Sequence, residues 1–135
     1  MGLKDILEEN PDLTLKGLQK LQSEYDERFI AQRFSGSAKI IHTYAHLGKL
    51  MGRLADYVEA LEEGREPSPE DIKTKVIPDL LVYSAWLAKE LGVDSEEAYL
   101  IRILGNLKRL YSNRISSEEI AELENFVNNK FKKVD

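Results

Sequence analysis

Asp56 and Glu59 stand three residues apart inside the longest uninterrupted helical pattern of the chain, AKIIHTYAHLGKLMGRLADYVEALEEG at residues 38–64. On a helix that spacing brings their Cβ atoms to about 5–6 Å, close enough for both carboxylates to hold one hard cation. Two solvated acids, with Asp56 paired to Arg53 or Lys49, are the other meaning of the same spacing. Asp79 is the only charge in VIPDLLVYSAWLA, residues 76–88. A buried carboxylate without a partner costs several kcal/mol, so Asp79 must find a cation, a metal or a cap, unless a break at Pro78 leaves it at the wet end of a helix. Arg102, Asn106 and Arg109 recur at four and three. Two guanidinium groups and an amide on one face suit phosphate or carboxylate recognition, and a solvated face is the alternative. Leu100, Ile103, Leu104 and Leu107 fill the other side of that helix, and Gly105 leaves room for close approach. His42 and His46 have the four-residue spacing at which two imidazoles can share zinc, but Thr43 stands where a helical zinc-protease motif has glutamate and no third ligand is nearby.

The elements that must position these residues are helices. In the 38–64 pattern Ile40, Tyr44, Leu47, Met51, Leu54, Val58 and Leu61 recur at three and four and mark a core face. Beside them Lys39, His42, His46, Lys49, Arg53 and Asp56, extended by Glu59, form an ionisable stripe that reads as a weakly basic groove. With 1.5 Å of rise per residue this helix spans roughly 40 Å and should be the spine of the fold. Before it come a short helix at residues 3–9, stopped by Asn10 and Pro11, and a helix at about residues 13–34 with Leu15, Leu18, Leu21, Tyr25, Phe29 and Ile30 inward. Ser35, Gly36 and Ser37 break the pattern, and Gly64 ends the spine. Ser68 and Pro69 open a further helix, with a kink or break expected at 74–78 because Pro78 frees the carbonyl of Thr74. Gly92 ends it, and Asp94 with Glu97 forms a capping box for the next, through about Tyr111. Ser116 or Ser117 opens the last, whose end carries Lys130, Lys132 and Lys133. No segment sustains a period of two. The expected fold is all-α, a four-helix-bundle-like core with extra N-terminal helices, in a single domain over residues 1–135.

Composition narrows the function classes. No cysteine is present, so disulfides and thiolate metal sites are excluded. Twenty-four acidic against nineteen basic side chains give a net charge of −5, which argues against the nucleic-acid backbone as main partner. No apolar run reaches the roughly 18 residues of a membrane span, and MGLKDILEENPDL carries acids where a signal peptide needs an apolar core. A cytoplasmic protein without membrane contact is expected.

From about residue 41 to residue 111 the chain resembles the MazG-like, all-α nucleoside triphosphate pyrophosphohydrolases. In that family an E-E-x-x-E helix and an E-x-x-D helix hold magnesium, which binds the triphosphate. GRLADYVEALEEG stands at the first motif, VIPDLLVYSAWLAKELGVDSEEA at the second, and GNLKRLY resembles the K-N-x-x-R-Y stretch that follows. Gly52 and Arg53 occupy the two adjacent glutamate positions, Asp56 replaces the third, and Val76 stands at the glutamate of the second motif. The resemblance implies magnesium on Asp56, Glu59 and Asp79, with Arg53, Arg102, Asn106 and Arg109 toward the phosphates, and cleavage of a nucleoside triphosphate to monophosphate and pyrophosphate. The alternative on the same fold is a catalytically silent nucleotide- or phosphate-binding, or structural, module. The direction of Arg53 separates the two: between Asp56 and Asp79 it excludes metal, and swung out to solvent it admits metal. The family also implies a homodimer or a dimer of dimers.

Overall fold

The computed structural model describes residues 2–9 and 11–132, and these are all-helical, with no strand among them. Asn10 and Lys133 lie outside the described residues. Six α-helices follow in order: α1 Leu3–Glu9, α2 Leu15–Phe29, α3 Gly36–Glu62, α4 Ile77–Leu91, α5 Ser95–Leu110 and α6 Ser117–Lys130, with a π-helical turn, Ile72–Val76, leading into α4. The chain divides into two compact units, Met1–Val93 and Asp94–Asp135.

Local chemistry explains most boundaries. Thr14 caps α2, its hydroxyl accepting from the Gly17 amide at 3.0 Å, so that helix starts later than the Asn10–Pro11 punctuation suggests. The expected kink at Pro78 takes the form of the π-helical turn. Proline has no N–H to give Thr74, and the Ile77 amide bonds the carbonyl of Ile72, five residues back. Gly92, at φ 64°, closes α4 in the left-handed region. Asp94 and Ser116 cap α5 and α6 through the amides of Glu97 and Glu119.

In the first unit α4 is the central helix, packed against both α2 and α3, while α1 packs on α2. Its inward residues Tyr83 and Trp86 join Leu50 and Val76 in the core, and Ile30, Leu47, Leu54, Ile72 and Val82 pack around them. The expectation that α3 is the spine is corrected on this point. The orientation of α3 is corrected as well. Lys39, Thr43, Leu50 and Ala60 are buried on it, whereas Tyr44 is 79% exposed and Met51 64%, and Ile40, Val58 and Leu61 are exposed too. Of the apolar stripe, only Leu47 and Leu54 reach the core.

The polar row can turn inward because α2 and α4 answer it. Lys39 Nζ lies 3.1 Å from Asp26 Oδ2 and 3.6 Å from Glu90 Oε1. Gln22 Nε2 donates to the other Asp26 oxygen at 2.8 Å, and the Gly36 amide donates to Glu90. The Thr43 hydroxyl donates to the Lys39 carbonyl at 2.8 Å. His42 stacks on Phe34 at 4.1 Å between ring centroids, and His46 lies 5.2 Å from Tyr83. A buried charge that is paired and hydrogen-bonded is tolerated, and here one network joins α2, α3 and α4.

The second unit is a pair of packed helices. Ion pairs Lys108–Glu124 and Glu96–Lys130 tie the end of α5 to the middle of α6 and its start to the end of α6, so the two run antiparallel. Val127 is its one buried residue among the described residues.

Candidate functional site

The three carboxylates that the resemblance groups together share no cavity. Asp56 faces a cleft of about 430 Å³ that it shares with Arg53, Tyr57, Arg65, Glu70 and Asp71. Arg53 Nη1 lies 3.3 Å from Asp71 Oδ2, and the second Asp71 oxygen is 3.2 Å from Lys75 Nζ. The guanidinium therefore neither fills a gap between Asp56 and Asp79 nor stands free in solvent; it bridges α3 to the residue before the π-helical turn. Held there with about a third of its side chain exposed, it is a weak surface pair that a stronger anion can compete for.

Asp79 lines the other cavity, also about 430 Å³, walled by Tyr25, Ile30, Val82, Tyr83 and Trp86 with Gln22 at its side. It is half-buried in the first turn of α4, where a negative charge suits the helix dipole. Among the described residues no hydrogen bond or ion pair reaches its carboxylate. Its charge is felt by two neighbours. Burial, and then Asp79, push the Tyr83 hydroxyl above its ordinary pKa of 10.0. The Trp86 Nε1–H behind this wall is buried without a hydrogen-bond partner among the described residues, an arrangement that costs about 1–3 kcal/mol.

A magnesium centre on Asp56, Glu59 and Asp79 does not fit this arrangement. Among the described residues no three of His, Asp and Glu stand together as a metal site, and Glu59 is exposed on α3 outside both cavities. Val76, which the resemblance sets at a glutamate position, is 1% exposed and packed into the core. A carboxylate there would be buried among Leu50, Tyr83 and Trp86, so this scaffold has committed the position to packing. The two histidines likewise serve packing: His42 is stacked with Phe34 and Trp86, and His46 lies tilted against His42 and Tyr83. The groove expected along the ionisable stripe is therefore divided: Lys39 is buried, His42 and His46 are half-buried among aromatic rings, Arg53 faces the Asp56 cleft, and Lys49 is exposed.

In the second unit Arg102 and Arg109 are exposed on α5 and Asn106 is half-buried between them. Neither arginine makes an ion pair or hydrogen bond among the described residues, while Lys108 beside them is taken by Glu124. Two uncommitted guanidinium groups seven residues apart remain available to an anion.

Sequence reasoning missed Asp26, Gln22 and Glu90. One of the three acids of α2 and a lysine at the start of α3 carry no local mark of pairing, since they are thirteen residues apart and meet only when the helices pack. Tyr25 was expected in the core; it is 44% exposed on the wall of the Asp79 cavity.

His46 gives this region a pH dependence. Burial lowers its pKa below the ordinary 6.5, His42 and Lys49 lower it further, and Asp79 opposes them. The unfolded chain then takes up a proton near pH 6.5 before the folded one does, so stability is full above that pH and falls as pH drops through the window below it. His46→Gln should flatten this part of the curve. Urea midpoints of both proteins between neutral and mildly acidic pH check it, and equal slopes would remove His46 as the cause.

Comparison with known proteins assigns no relative: no family model matches the chain, and neither curated proteins nor solved structures give a match.

Proposed function

We propose that this chain is a divergent relative of the MazG-like pyrophosphohydrolases that binds a nucleotide or another phosphate-bearing small molecule without hydrolysing it. The observation that carries the reading is the pair Arg102 and Arg109 on one face of α5, exposed, flanking Asn106 and without a carboxylate partner among the described residues. Guanidinium groups bind phosphate oxygens directly and need no metal to do so. The hydrolytic branch of the family depends on clustered carboxylates, and the separation of Asp56 from Asp79, with Val76 in the core, argues against it here. Arg53 offers a second anion contact only if its pair with Asp71 opens.

The assembly that goes with this reading is a homodimer or a dimer of dimers, built on the exposed apolar stripe of α3. Cytoplasmic residence fits the same reading. Among the described residues no helix is long and apolar enough to cross a membrane.

Calorimetric titration with nucleoside triphosphates and with inorganic triphosphate tests the proposal. Binding should persist without magnesium, and Arg102→Ala or Arg109→Ala should each weaken it about 10-fold, the loss of one charge-assisted contact of about 1.4 kcal/mol. Pyrophosphate release should stay at the uncatalysed background with magnesium present. Turnover would restore the enzyme reading, and equal affinity in wild type and both variants would move the site away from α5.

A further inference from the structure

We propose that the cavity beside Asp79 is a binding site for a small organic cation, an ammonium group carried on a compact carbon frame. The site is distinct from the α5 arginines and does not depend on the reading given to them. Three aromatic side chains, Tyr25, Tyr83 and Trp86, wall the cavity, and Ile30 and Val82 complete its apolar lining. Aromatic faces attract a cation placed within about 6 Å of the ring centre, and the attraction grows as water is excluded. Asp79 supplies the countercharge: it is the one carboxylate on the wall, half-buried, and no hydrogen bond or ion pair among the described residues occupies it. The Gln22 amide nitrogen is already committed to Asp26, which leaves its carbonyl oxygen as an acceptor for an ammonium N–H.

The surrounding charges favour the same sign of ligand. Lys39 is the nearest buried cation, 5.0 Å from the centre of the Trp86 ring, but Asp26 and Glu90 hold it. With Asp79 that makes three carboxylates against one ammonium, and adding exposed Lys49, whose charge reaches His46, still leaves an excess of negative charge. His46 adds none, since burial favours its neutral form. A phosphate group would meet Asp79 and be repelled, whereas an ammonium meets a carboxylate and the three aromatic side chains that line the cavity, with Lys39 and His42 already lying against the Trp86 ring. A first-turn acid on α4 serves the helix dipole in any surroundings; the aromatic enclosure is what a cation site adds. The cavity volume of about 430 Å³ lies within the range of small-molecule sites.

Trp86 is the only tryptophan of the chain, so its fluorescence reports on the wall of this cavity directly. The probes are tetramethylammonium, choline and benzylamine, each titrated beside 3,3-dimethylbutan-1-ol, the uncharged carbon counterpart of choline. At least one cation should change Trp86 emission saturably, with the alcohol at least about 10-fold weaker, the size expected of a cation–π and carboxylate contribution of about 1.4 kcal/mol or more. Asp79→Asn, close to isosteric, should weaken the cation about 10-fold and leave the alcohol unchanged. Tyr25→Leu, at a partly exposed position the fold can spare, should weaken it as well. No saturable response to any of the three cations, equal response to choline and the alcohol, or undiminished cation binding by Asp79→Asn in a protein with wild-type circular dichroism would each overturn the proposal.

Discussion

Lys39→Met should be the most damaging single change at any charged position, lowering unfolding free energy by about 3–5 kcal/mol, the range for breaking a buried ion pair from one side. Lys39 is 3% exposed and is the one cation between Asp26 and Glu90, at 3.1 and 3.6 Å. Without it two carboxylates face each other across α2 and α4, Asp26 at 1% exposure with only the Gln22 amide to solvate it. Glu90 can turn toward water, because about a fifth of its side chain is already exposed; Asp26 cannot. Removing both ends of the tighter pair, with Lys39→Met and Asp26→Leu together, should recover most of the loss, since burying two apolar groups of similar shape avoids the uncompensated charge. Urea denaturation of the wild type, the single and the double variant measures this. If the double variant is as unstable as the single one, the loss comes from packing and the charge argument fails. For a domain whose total stability is about 5–15 kcal/mol, a change of this size is visible in the folded fraction itself.

Punctuation was the most legible part of the fold. Gly64 and Gly92, the Asp94 and Ser116 caps and the proline at 78 are local signals, acting within a few residues, and each marks a boundary in the structure. The facing of α3 was not legible, and the reason is physical. A helix with one apolar and one ionisable stripe buries whichever its neighbours complement. The complement of Lys39 lies on α2 and α4, beyond the reach of any pattern within α3. Periodicity reports that a stripe exists; it does not report whether the stripe's partner is in the same chain.

The candidate site divides in the same way. Asp79 stood out as the lone charge of an apolar segment, and it does line a cavity without a partner among the described residues. Asp56 and Glu59 were grouped with it by the family resemblance; their own spacing describes one helix and says nothing of the angle at which α3 meets α4. Tyr83 and Trp86 stand three residues apart on α4. They are core residues, and they are also the wall of the Asp79 cavity. A large aromatic can serve both roles because its two faces are separate surfaces.

The stripe that α3 leaves outward leads to the second large effect: Met51→Glu with Val58→Glu should abolish the dimerisation proposed for this face. Ile40, Tyr44, Met51, Val58 and Leu61 are all exposed along one face of a 27-residue helix. Such a face is self-complementary when two copies pair about a two-fold axis, since each residue then meets its own symmetry-related row. Each side chain gains about 1.5–3 kcal/mol when burial is complete. Ten of them, already partly covered, would yield on the order of 10–15 kcal/mol against an association cost of about 4–15 kcal/mol. Only the favourable end of that balance, a net of about 8 kcal/mol, gives a dimer at micromolar concentration, and none of it gives one that is obligate. Two glutamates on each copy place four like charges in the seam, and desolvating them should raise the dissociation constant at least about 100-fold, or about 2.7 kcal/mol. Both positions are exposed, so the variant should keep the wild-type helical content. Sedimentation velocity across a concentration series decides the matter: a wild type that stays monomeric at micromolar concentration, or a double variant that associates as the wild type does, would take the α3 face out of any assembly.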